Sequence, residues 1–247
     1  MQKEKPIVLS IAGFDPSGGA GILADIKTLE SLQVQSLAII TADTLQTEKV
    51  CYEVIWRSAE DIEKGIGVLM NHYSIDVAKI GIVPNVKILQ TILYTLRQQA
   101  QHIRIVWDPV IRSSSGTSFF NEQDLPKLVK LMKYIELITP NYPEYELLKP
   151  YISPYGGLSI LIKGGHRSDN KGTDILLQND REIRLLPSSD VQEIFPKHGS
   201  GCVLSSAIAA HLANGQSLEE ACRLGKKYVE NFLKSSPTLT GYHHNER

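Results

Sequence analysis

Pro6-Ile7-Val8-Leu9-Ser10-Ile11-Ala12-Gly13-Phe14-Asp15-Pro16-Ser17-Gly18-Gly19-Ala20-Gly21-Ile22-Leu23-Ala24-Asp25 is the stretch on which the fold turns. Residues 6–13 are apolar apart from Ser10 and read as a buried strand. A glycine-rich turn follows, and over 18–32 the residues Ile22, Ile26, Leu29 and Leu32 recur at helical spacing. A strand passing through such a turn into a helix is the opening half of a βαβ unit. Parallel sheets built from these units bind ligands beyond the carboxyl ends of their strands.

The same alternation continues outward from this stretch. Strands are predicted at 36–42, 52–56 (an edge piece), 77–82, 103–107, 135–139 and 158–162. A hairpin is predicted at 174–177 and 183–186. Helices are predicted at 59–72, 86–100, 124–134, around 145–148, 202–213 and 218–234, with Asn214-Gly215 as a C-cap between the last two. The pattern implies a three-layer α/β/α sandwich with a mostly parallel central sheet, formed by one domain over residues 1–247. Polar and glycine-rich residues gather where the strands end: 15–21, 43–47, Asp108, 141–144, 163–166 and 198–202.

Composition narrows the partners. Hydrophobic residues make up 42% and charged residues 21% of the 247, with a net charge of -1. A near-neutral balance gives no electrostatic reason to expect nucleic acid or a membrane surface. No apolar run is long enough for a signal peptide or a span. Cys51, Cys202 and Cys222 form no CxxC pair, which fits reduced thiols in a cytoplasmic protein and not a zinc site. Cys222 falls on the apolar face of the last helix and reads as core; Cys51 opens a strand and reads as structural. His243-His244 reads as a solvated tail.

His198-Gly199-Ser200-Gly201-Cys202 carries the strongest chemistry. Two glycines let successive amides aim at one point, and the helix that starts there adds its positive dipole end. In phosphoryl transfer such a loop holds charge on the moving group. A thiol in the first helical turn is expected to have a lowered pKa, which would suit Cys202 to accept a hydroxyl proton. The competing reading of the glycines alone is a tight turn without a ligand. Lys163, in Lys163-Gly164-Gly165, can reach phosphates, and Asn141-x-x-Glu144 can hold hydrated Mg²⁺ or act as a simple helix cap. Asp25, one turn into the first helix, reads as a surface acid when taken alone. Gly19 to Ala24 also satisfies a loose GxGxxA pattern with Asp43 about 20 residues on, which keeps a dinucleotide enzyme open. No GxxxxGK[ST] occurs, so a P-loop enzyme is excluded.

Together these motifs resemble the hydroxymethylpyrimidine/phosphomethylpyrimidine kinases of thiamin biosynthesis, in the ribokinase-like superfamily. The resemblance rests on residues 12–22 with Asp25 and Lys27-Thr28, then Lys79-Ile80-Gly81, Asp108-Pro109-Val110, Ile138-Thr139-Pro140-Asn141, Lys163-Gly164-Gly165-His166 and 198–202 with Leu204-Ser205. It implies a ribokinase-like fold, a homodimer, ATP and Mg²⁺ as cofactors, and a hydroxymethylpyrimidine as small-molecule substrate. The hydroxymethyl group is phosphorylated first, and in many members the monophosphate then goes on to the diphosphate.

By the same resemblance Asp25 and Gln46 bond the aminopyrimidine, while Gly13, Thr44 and Val110 line its pocket. Glu144 serves the metal, and Lys163, Asn141 and Asp108 serve the nucleotide. The amides of Gly199, Ser200, Gly201 and Cys202 hold the transferred group, and Cys202 is the base. Three places depart from the family. Ile82 stands in place of Met, Thr47-Glu48-Lys49-Val50 shortens the flap after Gln46, and 149–157 leaves no room for a helix that usually precedes Lys163. A pyridoxal kinase and a non-catalytic pyrimidine-binding relative are the alternatives.

Overall fold

The structure, a computed structural model, describes residues 5–112, 116–152, 157–166, 172–188 and 194–243. β1 (Ile7–Phe14) is followed by α1 (Gly21–Ser31), β2 (Gln35–Gln46), β3 (Cys51–Trp56), α2 (Ala59–His72), β4 (Val77–Ile80), α3 (Val86–Gln99) and β5 (Arg104–Trp107). Two 3-10 segments, Glu122–Lys130 and Met132–Tyr134, lead to β6 (Leu137–Ile138), α4 (Tyr142–Leu148) and β7 (Ser159–Ile162). The hairpin β8 (Asp174–Gln178) and β9 (Arg181–Leu185) precedes α5 (Ser200–Ala213) and α6 (Leu218–Lys234). The strands form one sheet in the order β3-β2-β1-β4-β5-β6-β7-β8-β9. Pairing from β2 through β7 is parallel, and β3, β8 and β9 are antiparallel.

Alternation along the strands sorts side chains between two cores. Leu9, Ile11, Ala78, Ile80, Ile105 and Trp107 face α2, α3 and the 3-10 segments. Val8, Val77, Val106, Leu137 and Leu161 face α1, α5 and α6. This is the three-layer sandwich expected. α5 is buried nearly all round, as its small and apolar residues, distributed over every face, require. β1 has β2 on one side and β4 on the other, so the chain reverses its direction of travel across the sheet there. The carboxyl ends of β1 and β4 are therefore the switch point where a ligand crevice opens.

Two expectations are corrected. The helix read over 124–134 is a pair of 3-10 segments, because Pro126 lacks the amide an α-helix needs at that point. The second strand runs to Gln46, well past residue 42, because it pairs antiparallel with β3 through Gln46↔Cys51. Thr44 and Gln46 thus sit in a strand and not in a loop. The shortened flap is the tight turn of this hairpin, with Thr47 N–H donating to Val50 O at 2.9 Å. α4 supplies the crossover between parallel β6 and β7, as its sequence suggested. Residues 153–156, within the stretch that replaces the missing helix, and His244 lie outside the described residues.

Candidate active site

Two glycine loops meet at the switch point. In the first, Asp15 is buried and its carboxylate accepts from Ser17 N (2.9 Å), Ser17 Oγ (2.9 Å) and Ala20 N (2.8 Å). It also bonds His198 Nε2 of the second loop at 2.9 Å. Burial alone would raise this carboxyl, but the His198 and Ser17 bonds outweigh it and hold it below the usual carboxylate range. The backbones interlock as well. Gly199 has φ +73°, and a Cβ there would stand 2.0 Å from Gly19 O. Gly21, at φ +56°, presses on Gly13 O in the same manner.

Gly199 is the N-cap of α5 and offers no side chain to the first-turn amides. Those amides have no acceptor within the helix and remain available to an anion. Lys163 and Asp108 stand over them: a Cβ on Gly201 would lie 3.1 Å from Lys163 Nζ and 3.6 Å from Asp108 Oδ2. Lys163 donates to Asp108 Oδ1 at 2.8 Å, and Thr139 Oγ1 and Ser205 Oγ add to the same carboxylate. Burial disfavours the Lys163 charge, yet Asp108 and Glu144 outweigh burial and raise its pKa, so it stays an ammonium. Asp108 is likewise held low, with Lys163 and Lys79 overcoming its burial.

Asn141 and Glu144 form a reciprocal capping box on α4, each side chain 2.8 Å from the other's amide. This is the helix-cap reading of the pair. The second Glu144 oxygen lies 3.4 Å from Ile111 N. Burial raises the Glu144 carboxyl, with Lys163 opposing and Asp108 adding to the rise. Among the described residues no three His, Cys, Asp or Glu side chains converge as a metal cage. Two oxygen-bearing acids beside a lysine suit instead a Mg²⁺ ion that keeps its waters and arrives with phosphate.

Asp25 is placed differently from the surface acid that its position alone suggests. It is 0% exposed, so it is no surface acid. Its carboxylate accepts from Lys79 at 2.9 and 2.8 Å, from Ser10 Oγ at 2.5 Å and from Ser206 Oγ at 2.7 Å. A carboxylate has about four acceptor positions, and here all are used. Ser10 and Lys79 are register neighbours on β1 and β4, so the sheet itself sets this cluster. Asp25 secures Lys79 beneath α5.

Cys202 lies one helical turn from Ser206, above this cluster. Burial pushes its thiol up to about 11; Lys79 and the Gly21 N–H, which donates to the sulfur, favour the thiolate, while Asp25 and Asp108 oppose it. The expected fall toward neutrality is thus corrected: helix position alone does not offset desolvation. Gly13 lies near the end of β1, Thr44 and Gln46 close β2, and Val110 follows β5. Ile82 packs on Gly13, where a Cβ would stand 2.4 Å from its Cδ1, and Thr44 Oγ1 donates to Phe14 O at 2.8 Å. Gln46 and Val110 are partly exposed. Cys222 is core, as expected.

Asp15, His198 and Lys79 lie within the motifs of the sequence, but no role attaches to them there. A lysine within the apolar strand 77–82 was the available signal, since a buried lysine demands a partner.

A family model described as phosphomethylpyrimidine kinase matches residues 15–246. A hydroxymethylpyrimidine/phosphomethylpyrimidine kinase of Aquifex aeolicus is 34% identical, covering 94% of this chain and 96% of the relative. The structure of a phosphomethylpyrimidine kinase from Clostridium difficile 630 is 31% identical, with a TM-score of 0.75 over 92% of this chain and 99% of that one. An ADP complex of Bacillus subtilis pyridoxal kinase shares the fold, with a TM-score of 0.84, 24% identity and 98% of both chains covered.

Proposed function

The chain belongs to the phosphomethylpyrimidine kinase family, and from that premise we propose that it is a single kinase domain, residues 1–247, acting on a hydroxymethylpyrimidine in thiamin biosynthesis. ATP gives its γ-phosphoryl group to the hydroxymethyl oxygen of 4-amino-5-hydroxymethyl-2-methylpyrimidine, and the monophosphate is the second substrate. The observation that carries this reading is the placement of Lys163 over the uncapped first turn of α5, beside Cys202. Amides, dipole end and ammonium there converge on the one spot where a transferring phosphoryl group would gain charge stabilisation.

Lys163 and the amides of Gly199, Ser200, Gly201 and Cys202 hold the phosphates, with Asp108 and Asn141 fixing Lys163 and its approach. Glu144 and Asp108 would hold Mg²⁺, which when bound neutralises phosphate charge. Gly13, Thr44, Gln46 and Val110 shape the pyrimidine pocket. Asp25 contributes to that pocket through the Lys79 cluster beneath it. A loose transfer asks more for positioning and charge stabilisation than for early removal of the hydroxyl proton. With its pKa at about 11, Cys202 rests as the thiol, so it takes the hydroxyl proton only in the minor thiolate form that Lys79 and the Gly21 N–H favour.

Mass spectrometry of the products formed from ATP, Mg²⁺ and the pyrimidine tests the reading, with mono- and diphosphate expected. Side-by-side kcat/KM for pyridoxal addresses the alternative substrate: faster turnover of pyridoxal would replace this reading. Absence of ATP turnover with either acceptor would leave the non-catalytic relative. For Cys202→Ala, kcat is expected to fall by about 10²-fold or more with little change in KM, the usual scale for a general base. Unchanged turnover removes the base role.

The protein acts in the cytoplasm, as a homodimer. No helix among the described residues is long and apolar enough to cross a membrane. Support for the dimer comes from edge strand β3 and its hairpin, where Leu45, Tyr52 and Ile55 are 60%, 67% and 58% exposed. Sedimentation velocity is expected to give a species of twice the chain mass, which Ile55→Lys converts to monomer.

A further inference from the structure

The loop that holds the α5 amides is itself held from behind by the end of the chain. Lys197, immediately before His198, is only 8% exposed, and its ammonium donates to Ser236 O and, at 2.9 Å, to Thr238 O. His198 N–H donates to Leu239 O at 2.9 Å, and Phe195 N–H to Leu233 O at 3.2 Å. The segment that supplies these carbonyls is not a loose tail. Ser236 Oγ donates to Thr240 O at 2.8 Å and Tyr242 N–H to Ser235 Oγ at 2.8 Å. Gly241 abuts Phe232, leaving no space for a Cβ, and the His243 ring lies 4.9 Å from Phe232 with Nδ1 3.0 Å from Tyr228 Oη. His243, read from sequence as part of a solvated tail, anchors this segment to α6.

We propose that residues 235–243 form a strap that positions the phosphoryl-holding loop, with Lys197 as its fastener. This rests on the reading of 199–202 as that loop. The logic is mechanical and electrostatic. Amide donors at a helix N-terminus stabilise a transition state only when their direction is fixed in advance. Gly199 and Gly201 are the least restrained residues that could occupy this turn, and Gly199 has no side chain with which to fix it. Restraint must come from neighbours. Asp15 supplies it on the substrate side through His198 Nε2, and the strap supplies it on the far side through Lys197 Nζ and the His198 amide. An ammonium is suited to this place because it bonds two carbonyls at once, a task a single neutral donor cannot perform. Lys197 is a positioning residue: it acts on transfer through the main chain of His198 and Gly199.

The test compares wild type, Lys197→Met, Lys197→Arg and a chain ending at Ser235, using kinetics and amide hydrogen exchange of the 198–202 segment. For Lys197→Met, exchange in 198–202 is expected to rise at least tenfold. kcat per folded molecule falls about 10- to 100-fold, the scale of a small misplacement of reacting groups. KM for the pyrimidine stays within about twofold, because its pocket lies at the other loop. Lys197→Arg restores most of both quantities, as it keeps a buried cation able to reach two carbonyls. If Lys197→Met does not fold, the chain ending at Ser235 carries the same expectation, since it removes the acceptors and leaves the lysine. Exchange in 198–202 equal to wild type in the folded variants overturns the strap. Absence of pyrimidine turnover in wild type counts against the kinase reading alone, since the exchange measurement decides the strap without activity.

Discussion

Gly199→Ala is expected to abolish nearly all turnover while leaving a folded protein. At φ +73° a non-glycine residue is strained, and its Cβ would stand 2.0 Å from Gly19 O and 2.7 Å from the Ala20 Cα. Neither neighbour is a flexible side-chain tip, so backbone must move. Strain of this kind costs about 1–3 kcal/mol, and the displaced amides forfeit charge stabilisation worth about 10²- to 10³-fold in kcat per donor. Gly201→Ala is the control. Its added Cβ meets the Lys163 ammonium at 3.1 Å, and a lysine tip can shift. That variant should keep near-wild-type thermal stability and show its defect mainly in KM for ATP. Equal defects in both variants would mean that the glycines serve only to make the turn.

Lys79→Met has the larger consequence for stability. Lys79 and Asp25 are each 0% exposed and joined at 2.8 Å. Losing the cation strands a carboxylate away from water, which typically costs about 3–5 kcal/mol. For a chain of this size each kcal/mol shifts Tm by about 2–4 °C, so a fall of roughly 10 °C is expected by calorimetry. Lys79→Met with Asp25→Asn removes both charges and should recover half or more of that loss. The same double variant separates two roles of Asp25. If Asp25 works through Lys79, KM for the pyrimidine changes little between single and double variants. A further large rise in KM on adding Asp25→Asn would show that Asp25 meets the ring directly. A Tm equal to wild type for Lys79→Met would remove the ion pair from any account of the core.

The pair also shows where sequence reading stopped. Alternating apolar runs and helical periods foretold the sheet and its layers, because burial on two faces imposes those periods. Glycine clusters foretold the loops at the strand ends. Pairing over distance left no such trace. Asp25 and Lys79 lie 54 residues apart; the apolar strand marks Lys79 as buried, but its partner appears only when the register of β1 and β4 puts Ser10 beside Lys79. Cys202 failed in the opposite sense: its place in the first turn was legible, but the pKa followed desolvation and two carboxylates that only the fold brings close. Pro126 interrupts the α-helical hydrogen bonding that the periodicity around it implies.

The interlocked glycine loops bear on how the protein is made. Asp15 and His198 are separated by 183 positions, yet neither loop has its final shape without the other. A ribosome releasing this chain exposes the first loop long before its counterpart emerges. Contacts that close such a long span form late, after local helices and hairpins. Competence to hold phosphate should therefore arrive in one step near the end of folding, when α5 docks. Nascent or prematurely terminated chains would carry the opening signature of the enzyme and none of its chemistry.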